Sequence, residues 1–308
     1  MQVVVKTKDL SRAEWLKYRA QGIGGSDCSV IAGINKFKSV HQLWLEKTGQ
    51  IELEEADNDY THFGTLLEPI VRKEFMKRTG LKVRQKHMLL RSSEYPFMMA
   101  NLDGVIYENG EMSIFEAKTA TAFKRIWEDE VPAEYILQVQ HYMAVTGAKR
   151  TYIAALVGGN KFFYHVVERD EEMIGKIIAM EKYFWETHVI GYVEPLPDGS
   201  EATSEYFNRK FSESNGKTVE LPEEAIEICE EYERISQHIK ELENAKNAAA
   251  NQLKSFLKEA EIGKVGEHKV SWKQISKSSL DQKRLKEERP DIYSGYMVQN
   301  SYRRLLVA

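Results

Sequence analysis

Apolar positions along this chain recur at two spacings, and the change from one to the other marks out its elements. SRAEWLKYRAQ, residues 11 to 21, has the form of a short helix opening at Ser11. GIGGSD then supplies glycines for a tight turn with a polar tip before SDCSVIAGI. HQLWLEKTGQ reads as a helix stopped by glycine, and the acidic IELEEADND as a solvated stretch. FGTLLEPIVRKEFMKRTG places Leu67, Val71 and Phe75 on one helical face ahead of Gly80, and this helix carries Glu68. A helix start at GTLLEP would put Pro69 in the first turn, where proline is tolerated. LKVRQKHMLLR, YPFMMANLDGVIY, MSIFEAK and TYIAALVGGNKFFYHVV read as strands. A helix at PAEYILQVQHYMAVTG precedes the last pair, and MIGKIIAMEKYFWETHVI forms an amphipathic helix after it. The expectation is an α/β core with a central mixed sheet flanked by helices.

PLPDGSEATSEYF is rich in proline, glycine and small polar residues, which suggests a boundary between a core of residues 1–198 and a C-terminal helical/β module of residues 199–308. Within that module Ala225, Ile228, Tyr232, Ile235, Ile239 and Leu242 alternate three and four apart. Ala249, Leu253 and Phe256 continue the seam more weakly. An unbroken helix from about 222 to 260 would be roughly 57 Å long, the length of a coiled-coil arm or a bent hairpin. NAKNAAA is the expected break. HKVSWKQIS and SGYMVQNSYRRLLV read as strands beyond it.

Composition narrows the chemistry. With 308 residues, 42% apolar and 29% charged, the chain can bury a substantial core. It holds no apolar run of membrane-spanning length and no signal-peptide order at its start, so the cytoplasm is the default compartment and no membrane partner is expected. Two cysteines far apart, Cys28 and Cys229, exclude a four-cysteine metal site. A net charge of -4 gives no global attraction to nucleic acid, so any basic surface must be local. Residues 261–308 are such a region, with ten Lys/Arg against six Asp/Glu.

The densest chemistry lies in NLDGVIYENGEMSIFEAKTA, residues 101–120. Adjacent antiparallel strands lie about 4.8 Å apart, so Asp103 and Glu116 at neighbouring strand ends can converge on one ion. Oxygen donors without nearby cysteine or paired histidine suit Mg2+, with Mn2+ as a substitute. Lys118 shares a strand face with Glu116 and can sit beside a metal-bound water. Alone, this pattern also describes a solvated or salt-bridged turn. Gln138 and Tyr142, four apart, share a helix face and can reach the same cluster, Gln138 to orient water or Lys118. Tyr142 is equally suited to a half-buried core position, and His141 to a purely structural one.

FGTLLEP, NLDG, FEAK and QVQHY together resemble the ordered motifs of PD-(D/E)XK nucleases. With WLKYRAQGIGGSD in front, residues 10 to 195 resemble the YqaJ-like viral recombinase family, of the phage lambda exonuclease type. The tail after residue 200 resembles that of phage-type members, without assignable chemistry. The resemblance implies a PD-(D/E)XK nuclease-like core and a two-metal mechanism. Asp103, Glu116 and the carbonyl of Ala117 would be central metal ligands, with Glu68 reaching a second Mg2+. It also implies that Arg19 and Ser26 grip the 5'-phosphate of the cut strand, to which the arginine fork and hydroxyl are chemically suited. The implied activity is a Mg2+-dependent exodeoxyribonuclease on double-stranded DNA ends, running 5' to 3' and leaving 3' overhangs for phage-type homologous recombination. A single-strand annealing protein as partner and a homo-trimer belong to the same implication. Two alternatives stay open: an endonuclease on the same fold, and a non-catalytic DNA-binding recombination scaffold using the 222–260 seam as an interface.

Overall fold

The computed structural model describes residues 1–51, 59–122, 125–298 and 301–307, so most of the acidic stretch after residue 51 lies outside the described residues. The chain divides into two compact units, Met1–Phe207 and Asn208–Ala308.

The first unit opens with β1 (Gln2–Lys6), α1 (Arg12–Arg19), β2 (Ile23–Gly24) and α2 (Gly25–Ile31). Ser11 caps α1 as expected, its hydroxyl accepting from the Glu14 amide while Glu14 reaches back to the Ser11 amide. Next come α3 (Val40–Lys47) and α4 (Asp59–Thr79), then β3 (Val83–Arg84), β4 (Met88–Arg91), β5 (Met98–Asn101), β6 (Gly104–Glu108) and β7 (Glu111–Ala120). Finally α5 (Ala133–Thr146), β8 (Arg150–Val157), β9 (Lys161–Glu168), α6 (Glu171–Tyr183) and α7 (Glu201–Lys210) complete it. α4 does not begin at GTLLEP but runs over Asp59–Thr79, so Pro69 stands inside the helix, and the Thr65 carbonyl loses the amide it would otherwise accept from.

Five strands form the central sheet in the order β3-β6-β7-β8-β9. β7 and β8 run parallel and their neighbours antiparallel, so the sheet is mixed. Parallel neighbours need a crossover, and α5 supplies it between β7 and β8. A second sheet has the order β1-β4-β5-β2. Alternation along β7 separates the two cores. Ile114 packs in the larger cluster with α2, α3, α5 and α6, whereas Phe115 packs with Val71 and Phe75 of α4. Glu116 and Lys118 therefore share the face of Ile114, toward α5.

The division into compact units falls after Phe207, within α7. Ala202, Thr203 and Tyr206 of α7 are buried, and Tyr206 meets the His41 ring edge-on, which ties this segment to the first unit.

The second unit holds α8 (Ala225–Leu257), the antiparallel pair β10 (Ile262–Val265) and β11 (His268–Ser271), then α9 (Gln282–Glu288) and α10 (Pro290–Gly295). α8 runs through NAKNAAA without a break, because its alanines favour helix more than its asparagines oppose it. The strand expected at SGYMVQNSYRRLLV is absent among the described residues. Ser294 and Gly295 end α10, and Tyr296 and Val298 stand exposed with no strand beside them.

Candidate active site

Asp103 follows β5 in the turn to β6, and Glu116 lies in β7, opposite the start of β6. The Ala117 amide donates to Asp103 Oδ2 at 2.9 Å, which brings that carboxylate to the strand carrying Glu116. Glu116 is only 2% exposed. Its Oε1 accepts from Lys118 Nζ at 2.7 Å and from Gln138 Nε2 at 2.8 Å, while its Oε2 is buried with no partner. Burial first, then repulsion by Asp103 and Glu68, outweighs Lys118 and pushes the Glu116 carboxyl up to about 8. Burial also raises Asp103, against Lys118, the Ala117 amide and Arg72. Glu68 projects from α4 and is raised by its own burial and by Asp103, while Arg72 NH1 donates to its Oε1 at 3.0 Å.

All three acids line one cleft of about 1220 Å3 with Ala117, Lys118 and Tyr135. Lys118 is held by its bond to Glu116, by Gln138 Oε1 at 3.0 Å, and by the Tyr135 ring, whose centroid lies 4.9 Å away. Gln138 also donates to the Tyr142 hydroxyl at 3.0 Å. Tyr142, only 6% exposed, is thus both a core residue and a member of the polar chain. His141 is structural: one ring nitrogen meets Glu181 at 2.8 Å and the other the Met99 carbonyl at 2.9 Å.

These residues fit a hard divalent cation. Three carboxylates face one cleft, Asp103 raises the proton affinity of both Glu68 and Glu116, and a buried oxygen lacks a donor. Among the described residues no group of three or more acidic, imidazole or thiol side chains stands in an arrangement that holds a metal ion by itself. The cluster is instead open, with Arg72 and Lys118 neutralising it. Mg2+ is compatible with this, because it binds through one or two carboxylates and keeps several waters.

A second group forms around α2. Arg19 NH2 donates to Ser26 Oγ at 2.7 Å, so the two residues expected at a phosphate are adjacent. Beneath them lies an ion pair that sequence spacing did not reveal. Lys47, with its side chain fully buried, meets Asp27 Oδ2 at 2.8 Å and donates to the carbonyls of Gly22 at 2.7 Å and Arg19 at 3.2 Å. The Gly24 amide donates to Asp27 at 3.0 Å, and Arg19 lies 3.6 Å from its other oxygen. Burial opposes ionisation of Asp27, but Lys47 and Arg19 more than offset it and hold the carboxyl far below its usual range. The two groups touch at Gly25, where a β-carbon would stand 2.5 Å from the Tyr142 ring and 3.0 Å from Gln138. Glycine is required there for α2 to seat on α5.

The family model for the YqaJ-like viral recombinase domain matches residues 14–149. The YqaJ protein of Bacillus subtilis (strain 168) is 42% identical over 308 residues, covering 98% of this chain and 96% of that one. The chain belongs to the YqaJ-like viral recombinase family. Every candidate site residue lies within the YqaJ-like match, and only Glu181, the partner of His141, lies beyond it. Among solved structures, the alkaline exonuclease of Laribacter hongkongensis is 21% identical, with a TM-score of 0.48 over 58% of this chain and 95% of that chain. A phage-related exonuclease from Haemophilus somnus 129PT is 15% identical, with a TM-score of 0.43 over 58% of this chain and all of that one.

Proposed function

We propose that this YqaJ-like protein is a Mg2+-dependent exonuclease on double-stranded DNA ends, degrading one strand 5' to 3' and leaving a 3' overhang for recombination. The observation that carries this reading is the cleft in which Glu68, Asp103, Glu116 and Lys118 meet around a buried carboxylate oxygen with no donor. Asp103, Glu116 and the Ala117 carbonyl would hold one ion, and Glu68 would take part in holding a second. When bound, Mg2+ would supply Lewis acidity, lowering the pKa of a water and offsetting charge on the phosphodiester.

The chain's own groups have separable tasks in this reading. The Ala117 amide orients Asp103, and Gln138 fixes both the Glu116 carboxylate and the Lys118 ammonium. Lys118 places a positive charge where the attacked phosphate accumulates negative charge. Arg19 and Ser26 receive the terminal 5'-phosphate, and the Asp27–Lys47 pair fixes the loop that presents them. Delivery of the resulting overhang to a single-strand annealing protein, and assembly as a trimer, belong to the same proposal.

Duplexes labelled at either the 5' or the 3' end test it. With Mg2+ the 5' label should be released first as mononucleotide, and a 5'-hydroxyl end should slow the wild type while leaving Arg19→Ala unaffected. Prior release of the 3' label contradicts the polarity. Equal rates on both end chemistries remove Arg19 and Ser26 from phosphate binding.

A further inference from the structure

α8 presents a seam that none of the described residues of its own unit covers. The positions alternating three and four apart along its 33 residues form the two core positions of a heptad repeat. Ile228 is 69% exposed, Ile239 51% and Phe256 82%, although the helix is long enough to carry more than four such repeats. The β10–β11 hairpin does not relieve this. It packs on a different side, where Leu257 is buried near Gly263 and Lys254 lies over the Trp272 ring. A stripe of this length, roughly 50 Å at 1.5 Å per residue, leaves a large apolar surface in water.

The distribution of size and charge along the seam specifies what covers it. If two copies ran parallel and in register, Lys246 would face Lys246 in the core and Phe256 would face Phe256. The acid-rich segment 225–243, with six glutamates against Arg234 and Lys240, would also lie along its own copy. Reversing one copy removes each conflict in a single register. Ala225 then faces Phe256 and Tyr232 faces Ala249, so each aromatic ring meets an alanine. Ile228 faces Leu253, and Ile239 faces Leu242 beside the two-fold axis. Lys246 lies against Ile235, over which its methylene stem can pack while the ammonium reaches solvent. The acidic half of each helix meets the half bearing Lys246 and Lys254, which contains no acid.

We propose that α8 is a dimerisation element, pairing with the α8 of a second copy of this chain as an antiparallel two-stranded coiled coil. The pairing is isologous, so each such contact joins two chains, and it is a contact distinct from the one that would close a trimer. It does not depend on the nuclease reading.

Disulfide trapping in the full chain tests it. Cys229 is replaced by serine, and Cys28 is left in place because it is buried. Cysteines are then introduced as Ile228→Cys, Leu253→Cys, and both together. Within one straight helix these positions lie roughly 37 Å apart, too far for a disulfide. Mild oxidation should give a reducible covalent dimer from the double variant alone, with peptide mapping joining position 228 to position 253. Adding Ile239→Asp, at a site exposed in the single chain, should lower the yield at least tenfold while the chain stays folded by circular dichroism. Equal trapping by either single variant would make the pairing parallel and overturn the proposal. Absence of trapping in the double variant would overturn it outright, and would leave the seam to a different protein.

Discussion

Two lysine–carboxylate pairs with the same 2.7 to 2.8 Å contact behave in opposite ways. Lys47 and Asp27 form a closed set: the ammonium meets the carboxylate and two backbone carbonyls, and the carboxylate also accepts from Gly24. Asp27 is held ionised as a result. Lys118 and Glu116 form an open set, with one carboxylate oxygen lacking a donor and two further acids pushing the Glu116 carboxyl up. The difference teaches that burial of an ion pair does not by itself signal structure or function. What separates the pairs is whether their remaining lone pairs are satisfied.

Breaking each pair should therefore damage a different property. The largest effect is on activity: Asp103→Asn should cut Mg2+-dependent cleavage by on the order of 10^3-fold without lowering the melting temperature. A parallel fall in melting temperature would move Asp103 to the structural side. In the closed pair the loss should appear in stability. Asp27→Asn should cost about 3 to 5 kcal/mol in urea titration because it strands the Lys47 charge. Replacing both partners, as Asp27→Leu with Lys47→Met, should recover much of that loss.

Cation binding sharpens the contrast further. Excess Mg2+ should stabilise the wild type, by about 2.7 kcal/mol at a hundred times its dissociation constant. Glu116→Gln should abolish most of this gain while leaving the cation-free protein at least as stable, because a repelled charge is gone. A full Mg2+ gain in that variant would place the cation elsewhere.

The smallest expected effect is a pH dependence. Asp27 has a folded pKa below its unfolded value near 3.9, so its contribution is fully present above about pH 5 and is lost as pH falls below the unfolded value toward the folded one. The stability advantage of wild type over Asp27→Asn should be level above about pH 5 and shrink below about pH 4. An advantage that persists unchanged to pH 2 would contradict the ionised pair.

Much of the open site was legible in the sequence because its parts are local. Asp103 and Glu116 sit on neighbouring strands joined by a short turn, Lys118 follows two residues later on the same face, and Gln138 and Tyr142 share one turn of a helix. The closed site was half legible. GIGGSD announced a turn and Arg19 a phosphate donor, but no periodicity joins Lys47 to Asp27, since only the packing of α3 beneath α2 does so. Arg72 beside Glu68 had an available signal in its spacing of four. Element ends were less legible where packing overrode local cues. α4 runs through Pro69, and α8 runs through NAKNAAA. The strand expected near Tyr296 had the right residues but, among the described residues, no neighbour to pair with, and a strand's hydrogen bonds belong to its sheet.

End-dependence is the central claim, and the most direct measurement of it compares linear with covalently closed circular duplex DNA of the same sequence in Mg2+. The account predicts that wild type degrades the linear form and leaves the circle intact, and that Asp103→Asn leaves both intact. Cleavage of the closed circle by wild type, at a rate approaching that on the linear form, would contradict it.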